Sequence, residues 1–161
     1  MAKPVLGIFS FTCCQGCKFT ILFIDNILKL LQKFDIQYFH LLKEKNRDAP
    51  HFDIAIIEGA ISSKREVRKL KTIRKKSDFV LAIGACATTG GVPAMANKLG
   101  KKAKVKYVYN QKMLKDSIDA QPIKNFIKVD QELYGCPIVK NQFVTALTNY
   151  LKNWDLKQKK N

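Results

Sequence analysis

The sequence lacks the features of membrane-spanning and secreted proteins. No apolar run approaches the roughly 18 residues that a membrane-spanning helix needs, so we expect no direct membrane span. The short apolar segment near the N-terminus leads directly into cysteines without a small-residue cleavage site, and we expect no secretory signal. The five cysteines are an odd number, and a chain of 161 residues can bury a core without disulfides. We therefore expect a reduced, cytoplasmic compartment in which cysteines serve chemistry or bind metal.

Acidic residues are also scarce. The chain has 13 of them against 29 basic residues, which gives a net charge of +16. Most of this excess lies in three segments, residues 64–76, 98–106 and 152–161. Proteins that bind single-stranded nucleic acid interleave basic and aromatic residues, and these segments are nearly free of aromatics. We expect solvated surfaces, or surfaces that face acidic partner subunits, and no nucleic-acid site.

Apolar periodicity predicts one α/β domain over residues 1–154 and a Lys-rich tail over 155–161. Short apolar runs predict strands at 5–11, 36–42, 53–58 and 78–85. Apolar residues three and four apart predict helices at 18–34, 64–76 and 141–154. Residues 92–129 show no persistent period. Strands that alternate with helices predict an open, mainly parallel sheet of flavodoxin-like type, with helices on both faces.

The cysteines follow predicted strands. Cys13, Cys14 and Cys17 come after the first strand, Cys86 comes after the fourth, and Cys136 follows a short extended segment. Because sites of open α/β sheets form outside the carboxyl ends of the strands, we expect the thiols to meet at one edge. His40 and His51, by contrast, have no metal-ligand partners at useful spacing, and we expect both on the surface or in loops.

Three kinds of site fit these cysteines. A C-x-x-C pair with two single cysteines suits a [4Fe–4S] cluster, which takes four thiolate ligands. Structural zinc usually shows two closely spaced pairs, whereas Cys86 and Cys136 each stand alone. A C-x-x-C pair between a strand and a helix is also typical of a thiol–disulfide oxidoreductase, with Cys14 and Cys17 as the dithiol. The residue pattern leaves these alternatives open.

Four segments resemble the small subunit of [NiFe] hydrogenases and the related 20 kDa subunit of respiratory complex I. They are FTCCQGCKF (11–19), IIEGAI (56–61), GACATTGGVPAMAN (84–97) and IKVDQELYGCPI (127–138). The likeness is greatest to short cytoplasmic subunits of the sulfhydrogenase, NAD-reducing and F420-nonreducing groups. It implies an oxidoreductase subunit with a proximal [4Fe–4S] cluster, while H2 chemistry occurs at a nickel–iron site in a separate large subunit. Further flavin or iron–sulfur subunits would then accept the electrons, and a complex I-like assembly is the alternative.

The resemblance also assigns the ligands, as Cys14, Cys17, Cys86 and Cys136. Complex I relatives use an adjacent Cys-Cys pair, which makes Cys13 a rival ligand. Larger relatives carry further clusters in a C-terminal extension, and since no cysteine follows Cys136 we expect one cluster. No catalytic residue is expected in this chain.

Glu58 ends the third predicted strand at the same edge as the cysteines. Beside a cluster, its carboxylate could relay protons or tune the reduction potential. It could equally accept a hydrogen bond from a backbone amide in the loop.

Overall fold

The central sheet is parallel and has five strands. The computed structural model describes residues 3–42, 45–46, 49–99 and 115–158, and the strands there are β1 (Val5–Ser10), β2 (Asp35–Phe39), β3 (Phe52–Glu58), β4 (Ile61–Ser63), β5 (Ser77–Ile83), β6 (Ser117–Gln121) and β7 (Gln131–Leu133). The parallel sheet has the order β2-β1-β3-β5-β7. Without β4 and β6, which form a separate sheet, this is the 2-1-3-4-5 strand order of flavodoxin-like folds. The order reverses between β1 and β3, which is the topological switch point of such folds. The predicted fold class is therefore confirmed.

Helices cover both faces of this sheet. They are α1 (Gly16–Leu22), α2 (Ile27–Leu31), α3 (Lys64–Lys75), α4 (Gly84–Thr89), α5 (Gly91–Met95) and α6 (Lys140–Gln158). Side chains of α1, α2 and α6 pack on one face with Ile54 and Ile56 of β3, and those of α3 and α4 pack on the other with Ala55 and Ile57. Alternate residues of a strand point to opposite faces, which explains why β3 is apolar along its length. In the described residues, no helix is both long and apolar enough to cross a membrane.

The predicted helix over residues 18–34 is wrong in one respect, because it is two helices. The chain leaves the helix after Leu22, and Asn26 has a φ of 58°, in the left-handed region that asparagine tolerates. Leu28 follows the apolar period of residues 18–34, yet its side chain is 59% exposed, since α2 begins a new helical phase. Lys18 falls on the polar side of the same period, yet it is buried.

A second, two-stranded sheet is absent from the sequence-based prediction. β4 and β6 pair antiparallel, and β6 lies in the region that shows no period. Strands of three and five residues are too short for alternation to be recognised. The closing helix also continues past its predicted end, Trp154, to Gln158, so residues 155–158 of the predicted tail are helical. Residues 159–161 of that tail, and residues 100–106 of the second basic segment, lie outside the described residues.

Asp130 connects three parts of the fold. One of its carboxylate oxygens, Oδ2, accepts hydrogen bonds from the backbone N–H of Val80 in β5, at 2.8 Å, and from Nη1 of Arg74 in α3, at 2.7 Å. The backbone N–H of Asp130 also donates to the carbonyl oxygen of Val80, at 3.0 Å. Asp130 therefore connects the segment before β7 to both β5 and α3. The ion pair with Asp130 also explains why Arg74, in the basic helix α3, is only partly exposed.

We expect Asp130→Ala to lower the free energy of unfolding by about 1.5–3 kcal/mol, because hydrogen bonds to a charged group are lost and two donors lose their acceptor. Urea denaturation of the metal-free chain measures this difference. Asp155→Ala, at an exposed position of α6, is the matched control and should change stability by no more than about 0.5 kcal/mol. Equal stabilities of the two variants would refute the connecting role of Asp130.

Candidate metal centre

Five cysteines line one cavity at the carboxyl edge of the parallel sheet. Cys13, Cys14 and Cys17 follow β1, Cys86 lies in α4 directly after β5, and Cys136 follows β7. The cavity measures about 80 Å³, whereas a single water needs only roughly 10–15 Å³. The structure thus brings together every cysteine of the predicted site, the rival Cys13 included.

Backbone hydrogen bonds hold the cysteine-bearing loops together. The N–H of Ala85, beside Cys86, donates to the carbonyl oxygen of Gly135, beside Cys136, at 2.7 Å. The backbones of Thr12 and Ala60 exchange two hydrogen bonds, of 3.0 and 2.9 Å, and so fasten the loop after β1 to the end of β3. The relative position of the thiols is therefore set by the main chain.

Gly84 allows the chain after β5 to approach Cys17 closely. Its φ is +80°, a conformation that L side chains rarely adopt, and a Cβ at this position would overlap Sγ of Cys17. Glycine therefore serves two needs here, the turn from β5 into α4 and the space for a thiol of the site.

The buried thiols have raised pKa values. Burial, with the nearby Glu58 carboxylate, raises the pKa of Cys13 to about 12. Burial raises the pKa of Cys17 to about 11, although the backbone N–H of Ile138 donates to this thiol and acts in the opposite direction. Burial also raises the pKa of Cys86. Thiol–disulfide exchange needs a thiolate, and these shifts run against the low pKa of an activated cysteine.

Glu58 and Lys18 form a buried ion pair beside the thiols. Their side chains are 2% and 3% exposed, and Nζ of Lys18 lies 3.7 Å from Oε1 of Glu58. Glu58 also accepts hydrogen bonds from Oγ of Ser10, at 2.7 Å, and from the backbone N–H of Lys18, at 3.2 Å. The second donor is a backbone amide in the first turn of α1, not one in the loop, where the sequence-based prediction places it. Sequence reasoning missed Lys18, because a lysine next to a helix start carries no signal of burial.

The spacing of the thiols distinguishes between kinds of metal centre. Four thiolates around one zinc ion, each about 2.3 Å from it, place neighbouring sulfurs about 3.8 Å apart. In the part of the chain that the structure describes, no three cysteine thiols lie within 4.8 Å of one another. In this arrangement the thiols do not already surround the position of a single ion, whereas a [4Fe–4S] cluster distributes its four thiolate ligands over four iron atoms.

A second group of ligand-type side chains is formed by His51, Asp53 and Asp78. One ligand atom of each residue lies within 4.8 Å of those of the other two. They lie at the opposite edge of the sheet, where Phe52 at the start of β3 pairs with Ser77 at the start of β5. The expectation that His51 has no ligand-type partners is therefore wrong. Asp53 is only two residues away in the chain, and the pairing of β3 with β5 brings Asp78 beside them. Its expected surface position is confirmed, as is that of His40.

The fold and the site define a flavodoxin-like α/β domain. Its cysteine-lined cavity lies at the carboxyl edge of the sheet, where other proteins of this fold bind their cofactor. The chain belongs to the family "NADH ubiquinone oxidoreductase, 20 Kd subunit", which matches residues 14–150. This membership confirms the resemblance found in the four sequence segments.

Hydrogenase subunits are among the similar proteins. The sulfhydrogenase 2 subunit delta of Pyrococcus furiosus is 30% identical over 148 residues, covering 91% of this chain and 62% of the relative. A vhu-type F420-non-reducing hydrogenase subunit of Methanocaldococcus jannaschii is 28% identical over 155 residues, covering 88% and 54%. The chain thus spans about half to two-thirds of these relatives. A solved structure of an NAD+-reducing [NiFe]-hydrogenase in the H2-reduced state matches with a TM-score of 0.83 and 27% identity, over 94% of this chain and 93% of that one.

We expect Gly84→Ala to destabilise the metal-free chain by about 1–3 kcal/mol, because the new Cβ is strained at this φ and displaces the Cys17 thiol. The control is Gly16→Ala, since Gly16 has no positive φ and its Cβ would meet only the Cys14 thiol, at 3.3 Å. Urea denaturation compares the two variants. If Gly84→Ala is as stable as the control, the close approach at Cys17 is not a constraint on the fold.

Proposed function

We propose that the chain is the electron-transfer small subunit of a [NiFe] hydrogenase and works in the cytoplasm. One [4Fe–4S] cluster would be held by Cys14, Cys17, Cys86 and Cys136, and it would supply one-electron transfer at low potential. The observation that carries the proposal is the cavity at the carboxyl edge of the sheet, which all five cysteines line, in a chain that belongs to the 20 kDa subunit family. H2 chemistry would belong to a large subunit with the nickel–iron site, and flavin or iron–sulfur subunits would accept the electrons.

The contacts of Cys13 support its exclusion from the ligand set. After burial, the nearby Glu58 carboxylate has the largest effect on the pKa of Cys13 and raises it, because a negative carboxylate disfavours a thiolate beside it. Glu58 raises the pKa of Cys17 as well, but there the backbone N–H of Ile138 lowers the pKa by more than Glu58 raises it. At Cys13 the effect of Glu58 exceeds that of the Gln15 backbone N–H. We therefore assign Cys17 as the ligand and Cys13 as a neutral neighbour of Glu58.

An apolar rim supports the proposed large subunit as a partner. We define the rim as the exposed apolar side chains close in sequence to the cysteines: Phe19, Phe23, Val92, Met95, Tyr134 and Val139. Three of them stand on helices close to the cysteines: Phe19 on α1, which contains Cys17, and Val92 and Met95 on α5, which follows the helix of Cys86. An exposed patch of this kind marks a protein interface, and covering it would also shield a cluster from water and oxygen.

The ligand assignment predicts opposite results for two serine variants. After anaerobic purification, Cys13→Ser should keep about four irons and four sulfides per chain, whereas Cys17→Ser should lose the cluster. Iron and sulfide analysis, with the visible absorbance of the protein, measures both. The reverse pattern would support the adjacent pair, Cys13 and Cys14, that complex I relatives use.

Co-purification from the native source tests the proposed function. The tagged chain, isolated without oxygen, should bring down a large subunit that contains nickel. Met95→Asp, in the apolar rim, should release this subunit while the chain keeps its own iron, because a charge would then be buried in the interface. Leu156→Asp is the control, since this equally exposed residue lies roughly 24 Å further along α6 from the rim.

Three outcomes would overturn the hydrogenase proposal. A complex without nickel indicates the complex I-like assembly. A stable, air-tolerant monomer indicates that no subunit covers the rim. A colourless chain after anaerobic reconstitution, with a reversible Cys14–Cys17 disulfide, indicates a thiol–disulfide oxidoreductase.

A further inference from the structure

We infer that Lys18 is a buried cation that raises the reduction potential of the neighbouring cluster, and that it acts against the adjacent Glu58 carboxylate. Both are positioning residues for electron transfer rather than catalytic residues. The inference rests on the proposed function, because it requires that the cysteines hold a redox centre.

Geometry places both charges next to the thiols. Glu58 is the one acidic or basic residue, apart from the cysteines, among the described residues that line the cavity. Nζ of Lys18 lies 3.7 Å from the Glu58 carboxylate, and Lys18 follows the ligand Cys17 in the chain. The backbone N–H of Lys18 donates to Glu58 as well, at 3.2 Å, so that the two residues are held together at two points. Neither charge can move away into solvent without breaking these contacts.

The sign of each effect follows from the charge change on reduction. One electron takes a [4Fe–4S] centre with its four thiolates from a net charge of −2 to −3, and no bond forms or breaks. A nearby cation stabilises the more negative state and raises the potential, and a nearby anion lowers it. Because both side chains are almost fully buried, water screens these interactions only weakly. The two charges therefore oppose each other at the redox centre.

If Lys18 and Glu58 have only a structural role, a different result is expected for the reduction potential. Burying two charges carries a desolvation penalty, and apolar residues of similar volume are often as stabilising. If the pair only fills space, its replacement by neutral side chains changes stability but leaves the reduction potential where it was. The potential is therefore the readout that separates the two roles.

The experiment uses the full chain with its cluster, titrated with dithionite in the presence of mediators and followed by electron paramagnetic resonance. Lys18→Met should shift the midpoint potential to a more negative value, because Glu58 is then uncompensated. Glu58→Gln should shift it to a more positive value. The double variant, which has no net charge change, should lie between them and close to the wild type. Lys29→Met removes an exposed lysine of α2 and should leave the potential unchanged.

Iron and sulfide analysis is made first on every variant. If the wild type holds no cluster, the proposed function fails. If the variants hold clusters whose potentials equal that of the wild type, the inference alone fails. If Lys18→Met loses its iron, the midpoint potentials of Glu58→Gln and of the double variant test the inference instead. A positive shift in Glu58→Gln that is reversed in the double variant still requires the Lys18 charge. Equal shifts in these two variants would overturn it.

Discussion

Four parallel strands end at the same edge of the sheet, and the position of every cysteine in the candidate centre depends on that arrangement. β1 pairs with β3, β3 with β5, and β5 with β7, each in parallel register. The loops that follow β1, β5 and β7 therefore open side by side, although they are far apart in the chain. A parallel sheet needs long crossover connections, and helices α1 to α5 lie in the connections that follow β1, β3 and β5. The same topology that buries the strands also assembles the thiols.

The edge of the sheet differs from its interior in how it is held. Inside, apolar side chains on both faces of β3 and β5 remove the strands from water, which is the main source of stability. At the edge, two of the five thiols are exposed, and hydrogen bonds between loop backbones take over the role of packing. Gly84 contributes to the close packing of these loops, because its lack of a side chain leaves room for Cys17. A centre built in this way is rigid and yet open toward a partner.

Charge is distributed very unevenly between the surface and the site. The exposed face of α3 carries six basic side chains: Lys64, Arg65, Arg68, Lys69, Lys71 and Lys75. Those charges are hydrated and screened, so they act weakly on a centre at the sheet edge. The ion pair of Lys18 and Glu58, by contrast, is almost fully buried and is screened only weakly by water. The electrostatic effect of these two buried residues on the centre is therefore larger than that of the many basic residues on the surface.

The sequence alone determined the fold class, the strands β1, β3 and β5 and the cysteines that meet beyond them, because long apolar runs and residues at strand ends are local signals. It did not determine the break before Ile27, where one asparagine in a left-handed conformation interrupts a continuous apolar period. It also did not reveal β7 or β6, since β7 has one apolar side chain and β6 has two, too few for a recognisable alternation. Tertiary structure alone decided that Lys18 is buried against Glu58, since burial depends on residues distant in the chain that pack over a side chain. Tertiary structure also decided the distances between the thiols, because pairing between strands and between loops sets these distances. The number of residues between the cysteines along the chain does not predict them.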